Sequence, residues 1–175
     1  EELSNIHSIY VDQWDWEKII MPEQRNLEIL KTIVRQIFAV LKRTEFIVYE
    51  NHPDIVPLLP DDIYFVHSEE LDEMYPGLDF REREKRVAQQ YGAVFIIGIG
   101  HPLASGKPHD GRAPDYDDWS TETENGKKGL NGDIIIWNPV LEDSFEISSM
   151  GIRVDRSALI HQLEMQEKNE RKELL

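Results

Sequence analysis

The sequence predicts an α+β fold, in which helices pack against a mixed or antiparallel sheet. Residues 93–100, AVFIIGIG, are apolar at almost every position, which indicates a central strand buried on both faces. Residues 133–137 and 144–149 are two further β-forming runs, separated by a turn that contains Pro139. Strands joined by a short turn pair antiparallel. Between residues 27 and 41, apolar side chains recur at three- and four-residue steps, which predicts a long amphipathic helix.

Length and composition limit what the chain can be. Its 175 residues and 40% hydrophobic content predict a single domain over residues 1–175. Nineteen basic and 34 acidic residues give a net charge of −15, which argues against nucleic acid or anionic lipid as a partner. The chain has no cysteine, which excludes disulfides and thiolate chemistry. Because no apolar run reaches the roughly 20 residues of a membrane helix, we expect no membrane association and a cytoplasmic location.

The first predicted strand covers residues 7–17, HSIYVDQWDWE. Alternation along a strand would place Gln13 and Asp15 on one face and Trp14 and Trp16 on the other. An amide beside a carboxylate is a good receptor for an ammonium group. The alternative is that these two residues form the solvated face of an edge strand.

The remaining elements follow from apolar spacing and from breaking residues. Pro22 is expected in the first turn of the long helix, which is followed by a separate helical stretch over residues 44–51 and a connector over 54–62. A short strand is predicted at residues 63–67. Ser68 and Asp79 are the expected N-caps of two further helices, of which the second ends at Tyr91.

The chain after the central strand is predicted to be a long loop, then the pair of strands, then a terminal helix. The loop covers residues 101–130, and its mixture of arginine, aromatics and acids argues for function rather than disorder. Asp155 is the expected N-cap of the terminal helix, with Leu159, Leu163 and Met165 facing inward. Residues 166–175 are highly charged and are expected either to fray or to dock on a segment that is absent from these 175 residues.

The two β-forming runs at residues 133–137 and 144–149 each contain an acid that could bind a metal ion. If the turn between them holds an even number of residues, Asp133 and Glu146 face each other across the ladder on one side of the sheet. The opposite side would then send four apolar side chains into a core, namely Ile134, Ile136, Phe145 and Ile147. Paired carboxylates suit Mg²⁺, which takes one or two of them and completes its shell with water and phosphate oxygens. A magnesium–nucleotide site is one reading, and two solvated carboxylates on an open sheet face is the other.

Four segments together resemble a known family: HSIYVDQWDWE at 7–17, GAVFIIGIG at 92–100, RAPDYDDWST at 112–121 and GLNGDIIIWNPVLEDSFEISSMGIRVD at 129–155. They are similar to ammonia-dependent asparagine synthetases, the aspartate–ammonia ligases related to class II aminoacyl-tRNA synthetases. The resemblance extends over essentially all 175 residues. It implies a class II synthetase-like sheet flanked by helices, a homodimer, and ATP and Mg²⁺ as cofactors. It also implies that L-aspartate is activated as β-aspartyl adenylate and that ammonia then displaces AMP.

The resemblance assigns a role to the two pairs of residues already noted and to an arginine. Gln13 and Asp15 match the pair that holds the α-ammonium group of aspartate. Arg153 matches an arginine whose planar fork suits a substrate carboxylate. Asp133 and Glu146 match the acids that position Mg²⁺ on the phosphates of ATP.

Four more residues receive roles in the same way. Asp117 matches an acid that lines the substrate pocket, where it could also hold ammonium and accept its proton. Ser148 and Ser149 are placed to hydrogen-bond the substrate. Arg112 has two open interpretations, since it either neutralises the acids of the loop or contacts a ligand.

The sequence departs from the family at both ends. Family members have an upstream segment with a pocket lysine and a phosphate-gripping arginine, and a downstream segment with a second arginine, and neither is found in these 175 residues. We therefore expect a partial catalytic domain that belongs to a longer enzyme or cannot turn over alone. The alternative function is a non-catalytic fragment or regulatory paralogue that binds aspartate or asparagine. A class II synthetase acting on tRNA is disfavoured by the negative charge and by the lack of an anticodon-binding domain.

Overall fold

The computed structural model describes residues 8–166, and its centre is a four-stranded open sheet. The strands are β1 (Tyr64–His67), β2 (Ala93–Ile97), β3 (Asn131–Asn138) and β4 (Asp143–Gly151), and they lie in the sheet in chain order. β1 pairs parallel with β2, while β2 with β3 and β3 with β4 pair antiparallel. All five residues of β2 are buried, and β2 has a neighbour on each side. The mixed sheet and the central position of β2 are both as predicted.

The α-helices are α1 (Leu27–Asn51), α2 (Ser68–Met74), α3 (Phe80–Tyr91) and α4 (Arg156–Met165), with short 3-10 helices at Pro22–Gln24 and Glu124–Gly126. Asp79 and Asp155 cap α3 and α4 through their carboxylates, which confirms both predictions. α2 differs, because the imidazole of His67 accepts the capping hydrogen bond and Ser68 is already helical.

α1 is one continuous helix, so the predicted separate stretch over residues 44–51 was wrong. The hydroxyl of Thr44 bonds back to the carbonyl oxygen of Val40, which keeps this polar residue within the helix. Pro22 lies before α1, in a separate 3-10 turn, and the carboxamide of Asn26 caps α1 by accepting from the amide of Ile29 at 3.0 Å.

Two hydrophobic clusters cover the two faces of the sheet. The residues of the first cluster come from α1 and from the sheet face beneath it, and include Leu30, Val34, Phe38, Phe95 and Ile134. The second cluster joins α2 and α3 to the opposite face, and includes Leu71, Val87, Val94, Ile96 and Ile135. Alternate residues of the buried strands therefore serve different layers. The sheet is the middle layer, with α1 on one side and α2 and α3 on the other.

A β-bulge changes the predicted register of β3 and β4. Ile134 pairs with Ser148 and Ile135 pairs with Glu146, so Ile147 has no partner in the ladder. Asp133 consequently lies opposite Ser149 rather than Glu146, which corrects the predicted direct pair. The two acids still share one face of the sheet, because Glu146 lies opposite Ile135, two residues from Asp133. Ile147, which was expected in the core, is 37% exposed.

The predicted N-terminal strand is not formed. Residues 8–21, which we call the N-terminal strap, have no regular secondary structure and are almost entirely exposed; His7 lies outside the described residues. A strand needs a partner for its backbone groups, and none of the described strands lies beside the strap. The predicted sharing of a face by Gln13 and Asp15 rested on strand alternation and is therefore no longer supported.

The long loop over residues 101–130 has the predicted character, with the 3-10 helix Glu124–Gly126 as its one helical turn. In α4, Leu163 is buried as expected, but Met165 is 37% exposed and the polar Gln162 is buried in its place. The prediction that residues 166–175 either fray or dock elsewhere falls outside the described residues from residue 167 onward. Across residues 8–166, no helix is both long enough and apolar enough to cross a bilayer.

The layered packing predicts a strong contrast between two valines of α1. Val34 is completely buried, whereas Val40 is 54% exposed. We expect Val34→Ala to lower the free energy of unfolding by about 1.5–3 kcal/mol, because it removes buried methyl groups and leaves a cavity. The same change at Val40 should lower the free energy of unfolding by less than about 0.5 kcal/mol, because little buried surface is lost and alanine has the higher helix propensity. Urea denaturation measures both, and equal effects would contradict the assignment of α1's buried face.

Candidate functional site

A cavity of about 360 Å³ lies between the N-terminal strap, the start of α1 and the end of β4. Its volume is that of a site for a small molecule. Five of the predicted site residues line it: Asp15, Asp117, Ser148, Ser149 and Arg153. Gln13 is exposed on the strap and is not among the lining residues. Asp133 and Glu146 do not line the cavity either.

Arg153 is one of three cations that line the cavity, together with Lys18 and Arg25. Its guanidinium carbon lies 3.2 Å from the centroid of the Tyr116 ring, so the arginine stacks on the aromatic face. Its Nη2 donates a hydrogen bond to Oε1 of Glu17 at 2.5 Å. Desolvation lowers the pKa of Arg153, but the hydrogen bond to Glu17 and the charge of Asp117 outweigh it, so that the pKa is raised. The group stays cationic and binds a carboxylate, that of Glu17, in this structure.

The loop segment that supplies Tyr116 and Asp117 runs antiparallel to the chain that follows β4. Asp117 forms a β-bridge with Arg153, and the amide of Asp118 donates to the carbonyl of Ile152 at 2.9 Å. These backbone contacts set the side chains of residues 116 and 117 beside Arg153. The sequence motif RAPDYDDW therefore has a geometric role that spacing alone did not reveal.

Buried polar side chains hold this segment in place. The carboxamide of Gln162 accepts from the amide of Trp119 and donates to the carbonyls of Pro114 and Asp117, at 2.9, 2.9 and 3.0 Å. Asp118 is fully buried and accepts from Arg25 at 2.8 Å. Such buried groups are retained only when hydrogen-bonded, so they fix one loop conformation. Sequence reasoning missed both Gln162 and Arg25, since a glutamine and an arginine at exposed-looking positions give no local signal.

Asp117 itself is buried with only 3% exposure. Burial raises the pKa of its carboxyl group, while the charges of Arg112 and Arg153 pull it down, and burial prevails. Gly151 leaves the room for this carboxyl group, since a Cβ atom there would lie 2.8 Å from Cγ of Asp117. A partly destabilised carboxylate beside an arginine can bind a cationic group and accept a proton from it.

The acids Asp133 and Glu146 lie on the sheet face of Ile135, which packs against α2 and α3, and Arg112 connects Asp133 to the cavity wall. The guanidinium of Arg112 donates to the carboxylate of Asp133, and its Nε lies 3.8 Å from Oδ2 of Asp117. Arg112 thus neutralises the acids, as one of its two interpretations predicted. Ser149 lines the cavity and lies opposite Asp133 across the ladder, where its hydroxyl lowers the pKa of that carboxyl group.

The electrostatics of the acid pair suit a divalent cation. Burial raises the pKa of Asp133. Desolvation and then the charge of Asp133 raise the pKa of Glu146 to about 7. The charge of Arg112 lowers the pKa of Glu146 only in part. A hard cation with oxygen ligands would add the missing positive charge. Within residues 8–166 there is no cluster of three or more metal-ligating side chains, so a metal here would need other oxygen ligands, as Mg²⁺ on phosphate does.

Comparison with known proteins gives a consistent family. A family model described as aspartate–ammonia ligase matches residues 1–175. Proteins named aspartate–ammonia ligase from Parabacteroides distasonis and Bacteroides thetaiotaomicron are each 56% identical to this chain, and one from Bacteroides fragilis is 53% identical. Each alignment includes 174 residues, which is 99% of this chain and 50% of the relative. The chain spans about half the length of the curated relatives it matches.

Gly151→Ala tests the close approach of Asp117 to β4. The new methyl group would also lie 2.6 Å from Cβ of Asn131, so the loop or the strand must move. We expect a loss of about 1–3 kcal/mol in the free energy of unfolding, as for other overpacked sites. Gly111→Ala is the control, because a Cβ atom there meets no atom within 4 Å. Denaturant unfolding compares the two variants, and a neutral Gly151→Ala would contradict the packing.

The raised pKa of Glu146 predicts a pH-dependent stability. Because the folded-state pKa is about 7 and the ordinary value is 4.5, the folded protein holds the proton more tightly. The contribution of this group to stability therefore falls as pH rises from about 4.5 to 7. Without added metal, we expect Glu146→Gln to raise the melting temperature at pH 8 and to have a smaller effect at pH 5. Glu73→Gln, an exposed position on α2, controls for the lost charge. A gain that does not depend on pH would contradict the prediction.

Proposed function

Because the chain belongs to the aspartate–ammonia ligase family, we propose that the protein converts L-aspartate and ammonia to L-asparagine, driven by ATP. In this proposal, aspartate reacts through β-aspartyl adenylate, and pyrophosphate and AMP are released in turn. The supporting observation is the cavity that brings Arg153, Asp117 and Asp15 together, with Arg112 connecting Asp117 of its wall to Asp133. An amino acid and a metal-bound nucleotide need these two kinds of group side by side.

Arg153 would bind a carboxylate of aspartate. Its stacking on Tyr116 orients the planar fork, and an oriented guanidinium forms two parallel hydrogen bonds with a carboxylate. Asp15 lines the same cavity and would pair with the α-ammonium group. Gln13 is two residues away on the exposed strap, and its proposed contact with the same ammonium group requires the strap to shift. Ser148 and Ser149 would hydrogen-bond the substrate from β4.

Asp117 would act on the nitrogen nucleophile. Its buried carboxylate can hold ammonium and take one proton from it, which leaves a nitrogen lone pair free to attack the activated carbonyl carbon. The new carbon–nitrogen bond forms as the bond to AMP breaks. The raised pKa of Asp117 favours this proton transfer relative to a solvated aspartate. The chain thus contributes orientation and a proton acceptor, without a covalent enzyme intermediate.

Asp133 and Glu146 would hold Mg²⁺ against the phosphates of ATP. The bound cation would offset the negative charge of the triphosphate and of the departing pyrophosphate. Arg112 fits this arrangement, because it binds both Asp133 and Asp117 and its charge lowers the pKa of each carboxyl group against the effect of burial. Ser149 lies opposite Asp133 in the ladder, and its hydroxyl favours the ionised form of that carboxyl group.

Three broader features belong to the same proposal. We propose that the sheet is of the class II aminoacyl-tRNA synthetase type, that the protein is a homodimer, and that it acts in the cytoplasm. The mixed four-stranded sheet with helices on both faces is compatible with the first. Family membership is the support for the other two.

A binding module without catalytic activity is the competing function. A binding module requires the cavity, but it does not require Asp133 and Glu146, two acids whose pKa values are raised. Buried carboxylates are costly, so their presence favours a site that handles a cation and phosphates. A tRNA substrate is disfavoured by the net charge of −15.

The test is product analysis with the protein expressed from its complete gene. ATP, Mg²⁺, L-aspartate and ammonia together should yield AMP, pyrophosphate and asparagine in equal amounts. Omission of aspartate should abolish nucleotide cleavage. Formation of ADP in place of AMP would contradict the adenylate route, and aspartate binding without turnover would favour the binding module.

Arg153→Lys tests the carboxylate-binding role. Lysine keeps the charge but cannot form the two parallel hydrogen bonds, so we expect the KM for aspartate to rise by about 10- to 100-fold, the effect of losing a charged hydrogen bond. Arg156→Lys, at an exposed position at the start of α4, is the matched control and should leave KM unchanged. Steady-state kinetics with varied aspartate makes the measurement. An unchanged KM in Arg153→Lys would rule out this role.

A further inference from the structure

Arg153 already has a carboxylate partner within the chain. The side chain of Glu17 accepts a hydrogen bond from Nη2 of Arg153 at 2.5 Å, although it is 75% exposed and lies on the N-terminal strap. Both residues line the cavity. The partner of Arg153 is therefore the same chemical group that the proposed substrate would present to it.

This contact uses an atom that a substrate carboxylate would need. Bidentate binding engages Nη2 on either edge of the guanidinium, paired with Nη1 or with Nε. The ring of Tyr116 occupies one face of the same group. A second carboxylate placed beside Glu17 would also be repelled by it. Nη2 has a second hydrogen, so a ligand carboxylate that uses it would lie beside Glu17. A ligand must therefore displace Glu17 or bind Arg153 against the repulsion from that carboxylate.

The other acids of the cavity decide which ligands can displace Glu17. Three acids line the cavity around Arg153, namely Asp15, Glu17 and Asp117. A dicarboxylate without an amino group would add negative charge to this set. An amino dicarboxylate brings an ammonium group, which pairs with the acids and offsets the loss of the contact between Glu17 and Arg153.

We propose that Glu17 is a specificity-determining residue, which competes for Arg153 and yields it only to a carboxylate ligand that also presents an ammonium group. The inference rests on the proposed role of Arg153 in binding aspartate. It adds a residue that the sequence motifs did not single out and a reason for selectivity against simple dicarboxylates.

The experiment compares L-aspartate with succinate, which has two carboxylates and no amino group. Dissociation constants are measured by calorimetry on the complete protein. If succinate binds too weakly for direct titration, its constant is obtained from its competition with aspartate. In Glu17→Gln, succinate should bind about two- to fivefold more tightly, the range expected when one exposed ion pair is broken. The dissociation constant of aspartate should change less. Removal of the Glu17 charge frees Arg153 for its carboxylate but also removes an acid that pairs with its ammonium group. The preference for aspartate over succinate should therefore fall.

Asp12→Asn is the matched control, because Asp12 is an exposed acid on the same strap and does not line the cavity. Its preference for aspartate should equal that of the unmodified protein. Suppose that Glu17→Gln binds aspartate and that its preference for aspartate over succinate is unchanged or increased. This result would overturn the role of Glu17 and leave the proposed function intact. An equal loss of preference in Asp12→Asn would also overturn it, since general charge would then explain the effect. Absence of aspartate binding in all three proteins would overturn the proposed function and the role of Glu17 together.

Discussion

The ion pairing of Arg112 is the interaction on which the candidate site depends. Its guanidinium lies between Asp117 of the cavity wall and Asp133 of β3, and both carboxylates are buried. Two buried anions at close range would otherwise repel each other and lose their solvation. The charge of the arginine lowers the pKa of both carboxyl groups against the effect of burial, which raises them. It thereby links a cavity suited to an amino acid with an acid pair suited to a metal-bound nucleotide.

The scaffold around this interaction is polar as well as hydrophobic. Gln162 of α4 makes three hydrogen bonds to the backbone of the loop, and Asp118 accepts bonds from Arg25 and from its own neighbours in the loop. A loop of this length has many conformations, and hydrophobic contacts alone select among them poorly. Directional bonds to buried partners select one. The same loop therefore presents Asp117 at a fixed place beside Gly151.

The strap is a different kind of element. It lacks regular secondary structure, and its exposed side chains include Trp14 at 67% and Ile19 at 96%. Yet it closes one side of the cavity and contributes both Asp15 and Glu17. A binding wall held mainly by side-chain contacts can change its contacts at low cost. This property suits a segment whose acids exchange partners when an amino acid binds.

The local pattern of the sequence determined most of the secondary structure. The unbroken apolar run of β2, the helical spacing of α1 and the acidic caps of α3 and α4 each depend on neighbours in the chain, and they formed as predicted. The quoted motifs also identified five residues that line one cavity. These features could be predicted because burial and capping act over a few residues.

Tertiary structure alone decided the features that depend on distant partners. The strap carries a strand-like pattern but has no strand to pair with, so Gln13 does not share a strand face with Asp15. The bulge at Ile147 set which residue lies opposite Asp133, and no turn count could reveal it. The contact of Arg153 with Glu17 joins residues 136 positions apart. Sequence fixes which groups a chain can offer to a site, whereas the meeting of distant groups follows from the packing of the whole fold.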